Sequence, residues 1–476
     1  MKEFFIPDYL TVKGGKSVDS RVTISGAKNE VLGIMAAAVL TDEVVELRNV
    51  PFISDVIDMG RIMMALGVDV KYSPEKNHLR LHAKRITGNI LPELAIKFRA
   101  SYYLWGALLA RFRVTGEFNS LHIKMPGGCG LVDTFKTGDG LGSKGRPTDF
   151  HLSMLQNLFE IDIKCGESAT DLELILPDRN PCNDSYPVYA TRLMSHGATM
   201  HWMLAVALCK KQKFMYNASL EPEISHLLGI LRAMGAELRG TGTMAITNMG
   251  RRGDELLRGG TFEVMPDRIE AGTYALLAMA LRGKIRLSCT NADHCRPWLN
   301  LIKEIIKPES DRAHIESSCM FFDFTGFQFP GQHIIFSPFP GKETDLQQIW
   351  TAVLTSATSE SVIVDPVWPK RSDMPDITPF FHGMEFGQVD IENYEMPKAG
   401  ILKIFPSNVQ PTVSKGFDLR GTIAMIILAA MANGASRINN PSFALRGYPN
   451  LIDNLSNIGL DITASKEGVV LEGLPE

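Results

Sequence analysis

The sequence predicts an α/β fold of two similar domains, each built from three copies of one unit, with helices inside and sheets outside. Three observations carry this expectation. First, six stretches share an order of events: a helix-like run of small and apolar residues, a strand, a polar turn, a second helix and, in most, a short closing strand. They span 26–70, 98–163, 195–238, 267–305, 345–391 and 418–462. Second, the closing phrases repeat: MMALGVDV at 63–70, LRAMGAEL at 231–238 and LSNIGLDI at 455–462. Third, the openings LGIMAAAVL (32–40), TMHWMLAVAL (199–208) and IAMIILAAMA (423–432) are apolar nearly all round, which requires burial on every side.

The elements follow in chain order. Strand residues 4–13 and 22–25 precede the first copy and are expected to pair with the other domain. In the first copy the second helix is amphipathic: Ile53, Val56, Ile57, Ile62, Met63 and Leu66 alternate with Asp55, Asp58 and Arg61 at helical spacing. Half-exposed second helices and fully buried first helices invert the usual layering, in which helices cover a sheet. The boundary falls between the third and fourth copies, near Met265–Pro266. One domain is then 27–265 and the other 1–26 with 266–476, with two short crossings and a cleft between them as the place for a ligand.

Composition narrows the function. Net charge −4 on 476 residues, with 21% charged, excludes the concentrated basic surface of a nucleic-acid binder. The 7 cysteines are scattered and never form CxxC, so neither a disulfide framework nor a zinc site is expected, and the reading is cytoplasmic. The longest apolar run, 423–432, is half a membrane span, and MKEFFIPDYLTVKGGK lacks a signal-peptide core.

The joints between copies are cationic. Lys28 lies in SGAKNE, Arg99 in KFRAS, Arg146 in GSKGRPTDFH, Arg268 in MPDRIEAGT, Arg420 in FDLRGT and Arg446 in ALRGYP. A cation beside the unpaired N–H groups of a helix start makes an anion site. Alone, each is also read as a solvated surface charge or a carboxylate partner; six at equivalent joints point to anion binding.

SGAKNE, EPEI (221–224), MPDRIEAGT, TDLQ around Asp345, FDLR and RGY resemble the enolpyruvyl transferases, in that family's order from about Tyr9 to Val470. The UDP-N-acetylglucosamine 1-carboxyvinyltransferase branch is nearer than the one acting on shikimate 3-phosphate. The resemblance implies two inside-out α/β barrels. It also implies addition–elimination, in which an acceptor hydroxyl attacks C2 of phosphoenolpyruvate, C3 is protonated and phosphate then leaves, with no cofactor and no metal. Lys28, Arg146 and Arg446 match the phosphoenolpyruvate cations, with Arg99 and Arg420 nearby, as Arg suits bidentate oxyanion contacts. Asp345 matches the candidate base, and is equally a natural helix cap. Asn29 and Asp418 match acceptor-site residues. Arg146, Pro147, Thr148, Asp149, Phe150 and His151 match a loop that cradles uracil; Ser195, His196 and Gly197 match a diphosphate segment.

Three departures bear on the acceptor and the lid. The family's lid is lengthened here, over about 125–150. Either Cys129 or Leu141 takes the position of the lid thiol that shares in proton transfer. The family's FENRF segment reads VWPKRSD (367–373), bringing Pro369 and Lys370 toward the acceptor sugar. His196 replaces an apolar residue. The expected acceptor is UDP-N-acetylglucosamine, at its 3-hydroxyl. The alternatives are the 3′-hydroxyl of UMP, on a route to nucleoside antibiotics, or a non-catalytic nucleotide-binding regulator.

A thiol among Gly-rich, cation-flanked backbone is reactive. If Cys129 is the lid thiol, intact mass spectrometry should show one fosfomycin adduct that Cys129→Ser abolishes. An unlabelled parent with an active Cys129→Ser variant would place Leu141 there instead.

Overall fold

The computed structural model describes residues 3–88, 94, 99–124, 149–166, 171–178, 188–191, 194–373, 377–381, 383–390 and 398–476. Its helices, in chain order, are α1 (Lys28–Ala37), α2 (Ser54–Ala65), α3 (Tyr103–Thr115), α4 (Asp149–Phe159), α5 (His196–Val206) and α6 (Pro222–Ala233). They continue with α7 (Arg268–Ala280), α8 (Arg296–Ile305), α9 (Gln347–Leu354), α10 (Leu419–Met431), α11 (Ser442–Leu445) and α12 (Leu451–Asn457).

The helices that open the copies pack on one another. α1, α3 and α5 form one mutually contacting set, and α7, α9 and α10 a second. Small residues permit this closeness. A Cβ on Gly33 of α1 would meet Met200 Sδ of α5 at 2.9 Å, and one on Gly272 of α7 would meet Leu346 at 2.8 Å.

Sheets surround each set. Among the described residues there are five four-stranded sheets, one three-stranded and one two-stranded. Every four-stranded sheet has the same grammar, one parallel pair followed by two antiparallel pairs. Thus Gly260–Glu263 runs parallel to Val44–Arg48, which pairs antiparallel with His78–His82 and through it with Asp69–Ser73. The recurring closing phrases have a physical cause. Gly67, Gly235 and Gly459 sit at φ +91°, +107° and +102°, just beyond α2, α6 and α12. The following N–H groups of Val68, Ala236 and Leu460 donate back to Met63, Leu231 and Leu455, the Schellman arrangement that only a left-handed residue closes.

The N-terminal segment is distributed among three sheets. Phe4–Pro7 pairs with Gly468–Leu471. Tyr9–Lys13 inserts between Ala435–Asn439 and Asp461–Ala464, and Asp19–Thr23 runs parallel to Lys284–Ser288. The strand expected at 22–25 thus starts earlier. Ser25–Ala27 instead forms a crossing with Met265–Asp267: Ala27 N–H donates to Met265 O at 2.7 Å and Asp267 N–H to Ser25 O at 2.8 Å. A Cβ on Gly26 would meet Asn49 O at 1.9 Å, so this turn of chain requires glycine.

One expected element is corrected. The fifth copy lacks an α-helical second helix among its described residues; Pro369–Ser372 and Thr378–Phe380 are single 3₁₀ turns. Pro366, Pro369, Pro375 and Pro379 remove the N–H groups a helix there would need.

Leu10, in the inserted N-terminal strand, is fully buried. Leu10→Ala should cost about 2–5 kcal/mol in urea unfolding, the core-cavity range, despite its place near the chain end. An unchanged midpoint would contradict the insertion.

Candidate active site

The starts of α1 and α7 face each other across the crossing. Asp267 caps α7, its Oδ1 accepting from the N–H groups of Ile269 (2.8 Å) and Glu270 (3.0 Å). Its Oδ2 accepts from Lys28 N–H at 3.3 Å, supplying the cap that Ala27 cannot give α1. One carboxylate therefore serves two helix N-termini.

From this joint Lys28 Nζ reaches Asp55 Oδ2 at 2.7 Å, in the first turn of α2. Arg446 takes the other oxygen, Nε to Oδ1, at 2.9 Å. Asp55 is 3% exposed in its side chain. Burial raises its pKa, but Lys28 and Arg446 outweigh that and hold it below the usual carboxylate range. Lys28 is lowered from its ordinary value by burial, with Arg446 and Arg420 adding repulsion that Asp55 partly offsets. A Cβ on Gly447 would come within 3.4 Å of the Lys28 stem.

A second carboxylate is shared the same way. Asp345 Oδ1 accepts from Arg371 Nη2 at 2.6 Å, and its Oδ2 lies 3.9 Å from Arg420 Nη2. Asp345 stands in the 3₁₀ turn Thr344–Leu346, and the cap position of α9 is Leu346, without a side-chain cap bond. Arg420 Nη1 donates to Tyr448 Oη at 2.6 Å. Tyr448 therefore donates onward to Thr273 Oγ1 (2.7 Å), which donates to Ile269 O (2.8 Å). This buried chain locks Arg420 from below.

Lys28, Arg420, Arg446 and Asp345, far apart in sequence, thus converge. Arg446 differs from expectation: it follows the end of the short α11 and is held by Asp55 instead of a helix start. Arg268 differs more. Its guanidinium is spent on Glu343 Oε1 (2.6 Å) and Glu223 Oε1 (3.1 Å), all three buried, so it is a structural tie. Asp418 caps α10 through Gly421 N–H (2.6 Å) and accepts from Gln348 Nε2 (3.0 Å). Asn29 is half-buried beside Lys28.

The segment matched to the diphosphate, residues 195–197, opens α5. Ser195 caps that helix, accepting from Ala198 N–H at 3.3 Å. His196 Nδ1 lies 3.4 Å from Glu221 Oε2; burial lowers its pKa, but Glu221 and Glu223 raise it further, leaving it above the ordinary value. A Cβ on Gly197 would meet Tyr102 Oη at 2.0 Å, so the Tyr102 hydroxyl sits against this helix start. Arg99 lies over the Tyr102 ring at 5.8 Å. His151 is turned inward, 1% exposed, its ring 3.9 Å from that of Tyr102. Gly106 N–H donates to His201 Nε2 (3.0 Å), so the proton of His201 is on Nδ1 and is given to His151 Nδ1 (3.0 Å). Burial keeps both rings neutral, with His201 lowered to about 3. Cys129, Leu141, Arg146, Pro147 and Thr148 lie outside the described residues, as do the side chains of Asp149, Phe150, Pro369 and Lys370.

Sequence reasoning missed Asp55, which reads as the polar face of an amphipathic helix, and Arg371, beside the altered Pro369 and Lys370. Asp267, in the quoted MPDRIEAGT, was legible as a cap for α7 only. Among the described residues no cluster of His, Cys, Asp or Glu could hold a metal ion, and no helix is long and apolar enough to cross a membrane.

Among the described residues each carboxylate, Asp55 and Asp345, is thus shared by two cations, so four cations gather at the joint. Comparison with known proteins agrees with this chemistry. The family model for EPSP synthase (3-phosphoshikimate 1-carboxyvinyltransferase) matches residues 12–320. UDP-N-acetylglucosamine 1-carboxyvinyltransferase 2 of Streptococcus thermophilus is 32% identical over 95% of this chain and 98% of its own length. The UDP-N-acetylglucosamine 1-carboxyvinyltransferase of Thermotoga maritima is 33% identical over 95% and 98%. Among solved structures, the enolpyruvyl transferase NikO from Streptomyces tendae superposes with a TM-score of 0.76 at 17% identity, covering 96% of this chain and 98% of that one. EPSP synthase from Acinetobacter baumannii does so with 0.65 at 13%, covering 96% and 100%. The inside-out α/β architecture is theirs, and this chain belongs to the EPSP synthase (3-phosphoshikimate 1-carboxyvinyltransferase) family of enolpyruvyl transferases.

Proposed function

We propose that the chain transfers the enolpyruvyl group of phosphoenolpyruvate to a hydroxyl of a uridine nucleotide, releasing phosphate. The observation that carries this is the convergence of Lys28, Arg446, Arg420 and Arg371 around Asp55 and Asp345. Phosphoenolpyruvate brings a phosphate and a carboxylate, and clustered guanidinium and ammonium groups are of the sign to receive them. Lys28 and Arg446 hold the phosphoenolpyruvate anion. Asp345 takes the proton of the attacking hydroxyl as the C–O bond forms at C2 and a proton reaches C3. Cleavage of the bond between C2 and the phosphate oxygen, with a C3 proton returned to the group that delivered it, then expels phosphate and forms the enol ether. Fixed cations oriented before substrate arrives spend no reorganisation energy during the step.

The acceptor is UDP-N-acetylglucosamine in this reading, supported by relatives of that name covering nearly the whole chain. UMP is the second reading. It is favoured by His196, a titratable donor paired with Glu221 at the segment matched to the diphosphate, and by VWPKRSD near the sugar. Parallel phosphate-release assays with both nucleotides decide between them, and release with neither would favour a non-catalytic regulator.

The reading includes a division into 27–265 and 1–26 with 266–476, supported by strand pairing within each set and by the paired crossings. Lys28 and Asp55 then belong to one domain and Asp345, Arg420 and Arg446 to the other, so closure completes the site. Small-angle scattering should show a smaller radius of gyration under saturating nucleotide; an unchanged radius would sink this division of labour.

Lys28→Ala and Arg446→Ala should each lower turnover by about a hundredfold or more, since each deletes a charge-assisted contact of about 1.5–3 kcal/mol and misplaces the reacting carbon. Asp345→Asn should fold normally by calorimetry yet lose turnover comparably, because the hydroxyl loses its proton acceptor. Full-rate phosphate release by any of the three would contradict the assignment.

A further inference from the structure

The two crossings are held by a matched pair of carboxylates. Glu30 is the third residue of α1, and its Oε2 accepts from Met265 N–H at 2.7 Å. Glu270 is the third residue of α7, and its Oε2 accepts from Ser25 N–H at 2.8 Å. Each therefore grips the strand that leads into the opposite helix. Both are buried. Their second oxygens differ. Glu30 Oε1 is ion-paired to His226 Nδ1 on α6, whose side chain is 43% exposed. Glu270 Oε1 finds no hydrogen-bond donor among the described residues, and burial with Asp267 alongside pushes its carboxyl up to about 8. One grip is thus buried and insulated, and the other opens to solvent through an imidazole.

Lys28 is two residues before Glu30 in the same first turn of α1. We propose that His226 is a positioning residue for the transfer: as imidazolium it keeps Glu30 on the Met265 amide, fixes the start of α1, and so sets Lys28 against Asp55 and Arg446. This rests on the reading of Lys28 as a phosphoenolpyruvate ligand.

The surroundings define the pH window. His226 is raised above its ordinary value first by its bond to Glu30, against burial, with Glu263 of the strand Gly260–Glu263 assisting. Glu30 is pushed up by burial and pulled back by His226 and the Met265 amide; Glu223 on α6, itself paired with Arg268, repels it. His294, in the loop before α8, is the remaining imidazole close enough to interact. A raised histidine contributes fully below its unfolded pKa, and the contribution fades as pH rises through the folded one. The acid edge comes where Glu30 protonates, above the usual carboxylate value. The clasp therefore weakens on the alkaline side, above the ordinary histidine range.

The test uses the full chain with His226→Gln, which keeps a donor without charge, and His226→Lys, which keeps charge at higher pH. Phosphate release and peptide-level amide exchange covering Met265 are each measured from pH 6 to 9, with exchange corrected for its intrinsic pH dependence. At pH 6.5 His226→Gln should lower kcat about tenfold, leave KM for the nucleotide unchanged and speed exchange at Met265 about tenfold. Its pH profile should be flat where the parent declines, and His226→Lys should carry the parent's low-pH rate and protection to pH 9. A His226→Gln variant matching the parent in both profile and exchange overturns the proposal, as does loss of protection with no change in kcat. A parent that releases phosphate with neither nucleotide refutes the catalytic reading. In that case, exchange that differs between parent and His226→Gln upholds the clasp at the crossing, and identical exchange overturns it too.

Discussion

The Asp267 carboxylate is the point on which both halves of the molecule are oriented. It caps α7 with one oxygen and receives the first N–H of α1 with the other. Two helix starts carry like partial charges and repel when brought together; a shared anion removes that repulsion and satisfies donors that would otherwise be buried unpaired. Lys28 and Arg268 are the first residues of those helices, so their directions follow from this joint. They then diverge in fate. Arg268 is neutralised by Glu223 and Glu343, whereas Lys28 competes with Arg446 for a single acid.

In the proposed reading, that competition makes the site receptive. A buried ion pair with matched charges gains nothing from an incoming anion, because desolvation has already been offset. Asp55 and Asp345 each serve two cations among the described residues, and in the proposed reading the incoming anions complete both clusters. The acids keep the cations ordered and in register. The Tyr448–Thr273–Ile269 chain adds stiffness beneath Arg420 without adding charge.

Much of this was legible in the sequence wherever a local rule operates. The all-round apolar helices α1, α5 and α10 and the left-handed Gly67, Gly235 and Gly459 are encoded within a few residues of themselves. Lys28, Arg420, Arg446 and Asp345 could be picked out because their motifs resemble a known family. Asp55 could not, since its partner Arg446 is a tertiary neighbour 391 residues away and its helix spacing reads as solvent-facing. His151 likewise follows a phenylalanine in a polar loop motif, and nothing local says that it turns into a neutral pair with His201. Pairing of the N-terminal strands with distant ones was foreseeable as a direction but not as a register, because a strand does not specify its neighbour. Among the described residues the fifth copy has 3₁₀ turns where the repeat has a second helix, and Pro366, Pro369 and Pro379 are the local signal for that.

The insertion of Tyr9–Lys13 between strands that end at Asn439 and Ala464 has a consequence for how the molecule comes into being. Chains emerge from the ribosome N-terminus first, and segments fold once their contacts are available. The sheets of 27–265 draw every strand from one continuous stretch and can close while synthesis continues. Tyr9–Lys13 must instead stay unpaired until residues 435–464 have been made, since both of its partner strands lie there. Exposed strand edges are hazardous over such an interval. Gly14, Gly15 and Lys16, which follow the inserted strand, are the kind of polar, Gly-rich sequence that keeps a waiting segment soluble. Completion of the second half therefore waits on the synthesis of residues 435–464.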